Sequence, residues 1–315
     1  MNQMKKDKTF KTSIGGQAVL EGVMMKGPDD MAVAVRKSDG EIVIDKKKVS
    51  SVTKKIKILK FPIIRGVVNF VESMVLGIKT LMFSADLYDM GEDDPTYKPS
   101  KFDQWLEDHI SKDAVVYVSL VLALGLSVLL FVLLPAFITK YTTFFIDNHI
   151  VKSLIEGVIR MAIFVVYIFL ASLAKDIRRV FEYHGAEHKT IFCYESGEEL
   201  TVENVKKMSR LHPRCGTSFL IEVMIISIIA FSVVSWDSLF MRIVIKLLLL
   251  PVIAGIAYEF IKFSGRSNNK CVALLTKPGL WLQKITTREP DDQQIEVAIA
   301  AMKEVIPENK EDAKW

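Results

Sequence analysis

Apolar residues gather in blocks of about 20, the length that carries a helix across a bilayer core of roughly 30 Å. Four blocks qualify without interruption: residues 114–138, 153–174, 219–235 and 242–262. A fifth, residues 61–83, carries Arg65, Asn69, Glu72 and Lys79 on one thin polar stripe of a helix that is otherwise apolar or small. Such a helix lies in the membrane interface or packs its seam against other helices, and three charges in one span make a crossing costly. It is read as membrane-associated, with no crossing assigned.

Ahead of these blocks, residues 31–36 and 41–45 alternate around Ser38-Asp39-Gly40, a hairpin signal. The glycine-rich run at residues 15–22 matches neither the Walker nor the dinucleotide pattern and reads as a tight turn leading into a strand. Thr201 caps a short helix, Lys277 to Gln283 look interfacial, and residues 291–306 read as a soluble amphipathic helix. The expected fold is a mainly α-helical integral membrane protein of about four transmembrane helices plus one membrane-associated amphipathic helix, with a small N-terminal β-hairpin module. Its expected parts are a Gly-rich loop and hairpin module (1–60), the membrane-associated helix (61–83), an acidic linker (84–113), a four-helix membrane domain (114–262) and a C-terminal tail with an amphipathic helix (263–315).

Composition agrees with a membrane chain. Hydrophobic residues make up 50% of the 315, and the mean hydropathy is +0.27. A net charge of +4 provides no global basic field, so nucleic acid is not an expected partner. Three cysteines form no spaced framework and fit thiols in a reducing compartment. The basic N-terminus is not followed by an apolar run, so no cleavable signal peptide is expected. Lysines and arginines crowd residues 175–218 and the N-terminal segment, while the connections at 139–152 and 236–241 carry few. The positive-inside rule then puts both termini and the 175–218 loop in the cytoplasm.

That loop holds the candidate chemistry. His184 and His188 are four apart, neighbours on one helix face if the helix of the second span runs on through residues 178–189. Glu187 before the second histidine makes the pattern His-x-x-Glu-His, the inverted zinc-protease motif, in which the acid serves as general base; Gly185 weakens the helix somewhat. His212 and Cys215 form a second chelating pair. All four ligands would close a structural zinc site, whereas three would leave a position for water or substrate, and spacing leaves that choice open. The alternative is polar packing at a membrane boundary, with His212 capping a helix and Cys215 buried as a small hydrophobe. His109 and His149 stand alone. Glu156, Arg160 and Glu259 are the expected intramembrane polar cluster, with Glu222 and Lys246 snorkelling. Gln17 and Glu21 are expected in a loop that folds over the histidines.

Taken together, residues 15–25, Tyr183-His184-Gly185-Ala186-Glu187-His188-Lys189-Thr190, residues 212–219 and residues 286–292 resemble the YqhQ-like family of bacterial membrane proteins. The resemblance runs over residues 12–306 and implies a multi-pass protein of the bacterial cytoplasmic membrane, sometimes described as a predicted metal-dependent enzyme. Three functions compete. The first is a metal-dependent hydrolase at the cytoplasmic face, zinc being the best-matched ion, with Glu187 as base. The second is a scaffold or assembly factor stapled by a closed His/Cys site and recruiting protein partners at that face. The third is a transporter using Glu156, Arg160 and Glu259, which four spans would oblige to be a homo-oligomer.

Overall fold

Four strands open the described chain: β1 (Gly15–Val19), β2 (Gly22–Lys26), β3 (Asp30–Arg36) and β4 (Ile42–Lys48). They form one antiparallel meander in the order β1-β2-β3-β4, so the expected hairpin is two strands of a four-stranded sheet. The Asp39-Gly40 turn joins β3 to β4, and the glycine-rich run is β1 itself, turning into β2 through Leu20 and Glu21. β3 does not alternate between core and solvent. Ala32 and Ala34 face one hydrophobic cluster, and Met31, Val33 and Val35 face another. A strand covered on both faces reads as a near-continuous apolar run, here Met31 to Val35. The computed structural model describes residues 10–49, 51–52, 56–87, 112–233, 239–267 and 269–314.

The helices are α1 (Ile64–Leu87), α2 (Lys112–Val128), α3 (Leu134–Thr142), α4 (His149–Ala171), α5 (Lys175–Ser196), α6 (Val202–Lys206), α7 (Gly216–Ser232), α8 (Leu239–Arg266), α9 (Lys270–Thr286) and α10 (Asp292–Lys303). A π turn over Leu129–Leu133 joins α2 to α3 just ahead of Pro135, which lacks the N–H a regular ladder needs. Among the described residues, four helical stretches are long and apolar enough to cross a membrane: Ile64–Leu87, Val118–Thr142, His149–Ala171 and Val244–Arg266. The number matches expectation, but the set differs. α7, expected as the third span at 219–235, has 17 residues described, about 25 Å of helix. α1 meets the length and composition test instead, yet a crossing set with α1 and without α7 would separate the strands from α5, with which they share one core, so α1 does not stand in for α7.

α1 is nevertheless committed to two different neighbours. Near its start Arg65 pairs with Glu259 of α8, and Asn69 donates to the Tyr258 hydroxyl at 2.8 Å. Farther along, Leu76, Phe83 and Leu87 pack on the sheet, and the backbone N–H of Leu20 donates to Ser84 Oγ at 3.2 Å. The polar seam therefore binds protein, while the opposite face is open.

The other face of the sheet carries α5 and α10, with Val23, Met25, Ala32, Ala34, Tyr183, Ala186, Ile295, Ala298 and Met302 in one cluster. α10 starts with a capping box between Asp291 and Gln294. Expected as part of a tail, it is instead core, with Ile295, Val297, Ala298, Ala301 and Met302 fully buried. Lys277 to Gln283, expected at an interface, lie within α9, where Leu282 and Gln283 are buried. Most of the expected acidic linker, including His109, lies outside the described residues.

Candidate metal centre

α5 does not continue the preceding helix. α4 ends at Ala171, and a new helix begins at Lys175 after a bend through Ser172. α5 leaves the apolar direction and packs on the sheet, yet the one-turn relation of the histidines survives, with ring centroids 4.4 Å apart.

Gly185 between them has a clear task. A β-carbon there would lie 2.0 Å from the carbonyl oxygen of Arg288, so only glycine lets α5 approach the segment after α9. That approach builds the outer shell of the site. His184 Nδ1 meets the Thr286 carbonyl at 2.8 Å, and His188 Nδ1 meets the Arg210 carbonyl at 2.6 Å. A carbonyl only accepts, so both rings donate from Nδ1 and turn Nε2 inward. His184 Nε2 is 3.1 Å from Cys215 Sγ. His188 Nε2 is buried and has no hydrogen-bond partner among the described residues. The ligand atoms of His184, His188 and Cys215 lie within 4.8 Å of one another. Tetrahedral zinc would hold such N and S atoms about 3.5 Å apart. An orphaned imidazole nitrogen aimed at a thiol is a costly arrangement without a cation and a natural one with it. The residues present fit a divalent ion.

The thiol and the imidazoles also shift one another. Burial would raise the Cys215 thiol, but the charges of His184 and His188 outweigh it and hold it well below its ordinary value. Burial would depress His184, yet the Cys215 charge and hydrogen bond push it up to about 9. Cys215 also caps α7, accepting from the Thr217 N–H at 3.4 Å, which is the capping role expected of His212.

His212 does not join the cluster. Its backbone N–H donates to Gln283 Oε1 at 2.8 Å, and Gln283 Nε2 donates back to its carbonyl at 2.7 Å. This clamp turns the ring toward Arg214, whose Nη2 lies 3.2 Å from His212 Nε2, and toward Glu195, which pairs with Arg214. Of the four expected ligands, three come together and His212 is a buried packing histidine. Burial, only partly offset by the hydrogen bond to Glu195, lowers the His212 pKa to about 4. A histidine depressed below its ordinary 6.5 contributes stability that is full above pH 6.5 and lost as pH falls toward 4. His212→Gln is expected to retain metal and to abolish that acid sensitivity. The difference between the two pH–stability curves should approach about 3 kcal/mol at pH 4, read by denaturant unfolding.

Glu187 lies beside the cluster, 4% exposed, against Gly16 of β1; a β-carbon at Gly16 would come 3.0 Å from Glu187 Cδ. Burial raises its pKa, against the pull of His188 and His184. Glu21 pairs through both oxygens with Arg179 and accepts from the Tyr183 hydroxyl at 3.2 Å. Its backbone is left-handed at φ 46°, a strained conformation for a residue with a side chain, held by these contacts one residue from His184. Gln17 does not cover the site. Strand alternation turns it to the other face of the sheet, where its amide oxygen lies against Gly77 of α1.

The polar cluster expected among the apolar helices is also rearranged. Glu156 pairs with Arg160 at 2.8 Å and with Lys246 at 2.9 Å, so Lys246, expected to snorkel, is part of it. Glu259 belongs elsewhere, with Arg65. Glu222 is 4% exposed, with neither carboxylate oxygen hydrogen-bonded among the described residues, and so does not snorkel. Sequence reasoning missed the carbonyls of Thr286 and Arg210 and the Gln283 clamp. Backbone carbonyls carry no residue signature, and Gln283 is one glutamine within an amphipathic helix.

The fold and site define a class: a mostly helical protein with four membrane-length apolar helices, bearing a His-His-Cys cluster on a small sheet-and-helix module. Its residues 61–308 match the family described as Protein of unknown function (DUF1385), and the chain belongs to that family. It is 36% identical over 295 residues to the Uncharacterized protein YqhQ of Bacillus subtilis (strain 168), covering 93% of this chain and 92% of that protein. No solved structure matches it.

Proposed function

We propose that this chain is a metal-dependent enzyme of the bacterial cytoplasmic membrane, hydrolytic in type and acting at the cytoplasmic face, with zinc held by His184, His188 and Cys215. One observation carries the reading: both histidines have Nδ1 tied to a backbone carbonyl and Nε2 directed at Cys215, while His212 is engaged elsewhere. Three protein ligands leave one coordination position, the arrangement of catalytic sites. Bound there, a divalent ion supplies a Lewis acid. Glu187, with a carboxyl pKa raised by burial, is the group placed to take up and return a proton at its carboxylate oxygen. Cys215 and the two imidazoles hold the ion, and the carbonyls of Thr286 and Arg210 orient the rings.

Sidedness has independent support. Thr12 bridges Lys314, and the strands, α5 and α10 share one core, so the N-terminal strands, the histidine segment and the C-terminal helix belong on one side of any bilayer. The positive-inside rule favours the cytoplasmic side.

A second reading has its own observation. His188 is 1% and Glu187 4% exposed, and the cluster joins α5, the 210–215 segment and the end of α9, as a structural staple in a scaffold protein would. One experiment separates the two. Metal is measured by mass spectrometry on detergent-purified protein prepared without chelators, and cellular function by complementation of a deletion strain. Glu187→Gln is expected to hold one zinc per chain, to unfold at the wild-type temperature, and to fail in complementation. Full complementation by Glu187→Gln would remove the enzymatic reading and leave the staple. A metal-free wild type would remove both.

A further inference from the structure

On the side of the sheet away from the histidines, the strands and α1 enclose a groove of about 570 Å³. Val33, Val49, Val71, Val75 and Phe83 give it an apolar wall, and Lys26, Lys47, Lys48 and Lys79 also line it. The acids present are already engaged. Asp45 pairs with Lys47, which also lies over the Phe83 ring at 5.7 Å, and Glu72 accepts from the Val52 N–H at 2.7 Å. Lys26, Lys48 and Lys79 have no ion pair among the described residues. Strand alternation turns Lys48 to the α10 face with Lys46, so two uncompensated cations, Lys26 and Lys79, stand beside a hydrocarbon wall.

That wall continues onto the open face of α1. Val71, Met74, Val75, Ile78 and Met82 follow one another at helical spacing and are each about half exposed, from 48% to 56%. A helix that binds protein through its polar seam and leaves such a stripe open presents the stripe to lipid. Val71 and Val75 belong to both the stripe and the groove.

We infer that the groove between the sheet and α1 takes an anionic phospholipid drawn from the membrane, its acyl chain along Val71, Val75 and Phe83 and its phosphate between Lys26 and Lys79. A zwitterionic lipid would leave the positive charge uncompensated, and a soluble phosphate ester would leave the apolar wall wet. Each lysine near an anionic headgroup contributes about fivefold in affinity.

Native mass spectrometry of the full chain, released from detergent mixed with equal phosphatidylglycerol and phosphatidylcholine, tests this. One phosphatidylglycerol per chain is expected, favoured over phosphatidylcholine by more than about tenfold. Lys26→Gln/Lys79→Gln should reduce its retention about 25-fold. Val75→Glu should lose it through the wall, with the unfolding temperature showing that the variant folds. Lys79→Gln alone should cost about fivefold, which keeps the test decisive if the double variant does not fold. Equal retention of the two lipids, or full retention in the lysine variants, overturns the assignment. Displacement of the lipid by millimolar glycerol phosphate as readily as by added phosphatidylglycerol would make this a site for soluble phosphate esters and overturn it too.

Discussion

Replacing His188 with alanine is expected to lower metal affinity by more than about 100-fold and to erase the effect of chelators on stability. Loss of outer-shell partners alone costs 10–100-fold in metal sites, and His188 supplies a ligand atom itself. Its Nε2 is the buried atom that has no hydrogen-bond partner, and its Nδ1 is the anchor to the Arg210 carbonyl. In wild type a chelator should lower the unfolding temperature, because an ion that binds only the folded state adds about 2.7 kcal/mol at a free concentration 100 times Kd. In His188→Ala the melting curves with and without chelator should coincide. His184→Ala and Cys215→Ala should behave alike, whereas His212→Gln should keep the wild-type response. Chelator-sensitive melting in the His188 variant would place the ion elsewhere.

Gly185→Ala should destabilise the protein by about 3 kcal/mol or more. On helix propensity alone it should do the opposite, since alanine is favoured over glycine in a helix interior by about 1 kcal/mol. The sign is decided by the Arg288 carbonyl oxygen, which would sit 2.0 Å from the new β-carbon. That oxygen is backbone, so relief requires α5 to move away from residues 286–290. The movement would break the Arg288 N–H bond to the Phe181 carbonyl at 2.8 Å and pull Thr286 off His184. Metal should therefore fall together with stability, measured by denaturant unfolding and metal content on the same preparation. A stabilised Gly185→Ala protein would mean that α5 does not lie against this segment.

The contrast marks how much of the site was legible. His184, Glu187 and His188 could be read from spacing because one helix carries all three, and a helix fixes its own neighbours. Gly185, met in sequence as a weakness of that helix, is instead the position that admits a distant backbone. Cys215 and His212 could not be sorted by spacing. Both lie on an irregular segment whose conformation depends on the two hydrogen bonds to Gln283, which is 71 residues away. The same holds for the charges in the apolar helices. Glu156 and Arg160 were legible as a pair four apart on one helix, whereas Lys246 with Glu156 and Arg65 with Glu259 are partners set by helix packing.

By itself, then, the amino-acid sequence determined what depends on near neighbours along the chain. It specified the apolar helices through their length, the β3–β4 hairpin through Asp39-Gly40, the cap at Thr201 and the histidine pair through its one-turn spacing. The tertiary structure decided what depends on which surfaces meet. It turned β3 into a strand covered on both faces, drew α10 into the core, and set α1 between α8 and the sheet. It brought Cys215, and not His212, into the cluster with His184 and His188. The physical reason is one of range. Helix and turn preferences act over a few residues, whereas a metal cluster, a close backbone approach and a buried ion pair each require atoms from segments far apart in sequence, and only their packing brings those atoms within bonding distance.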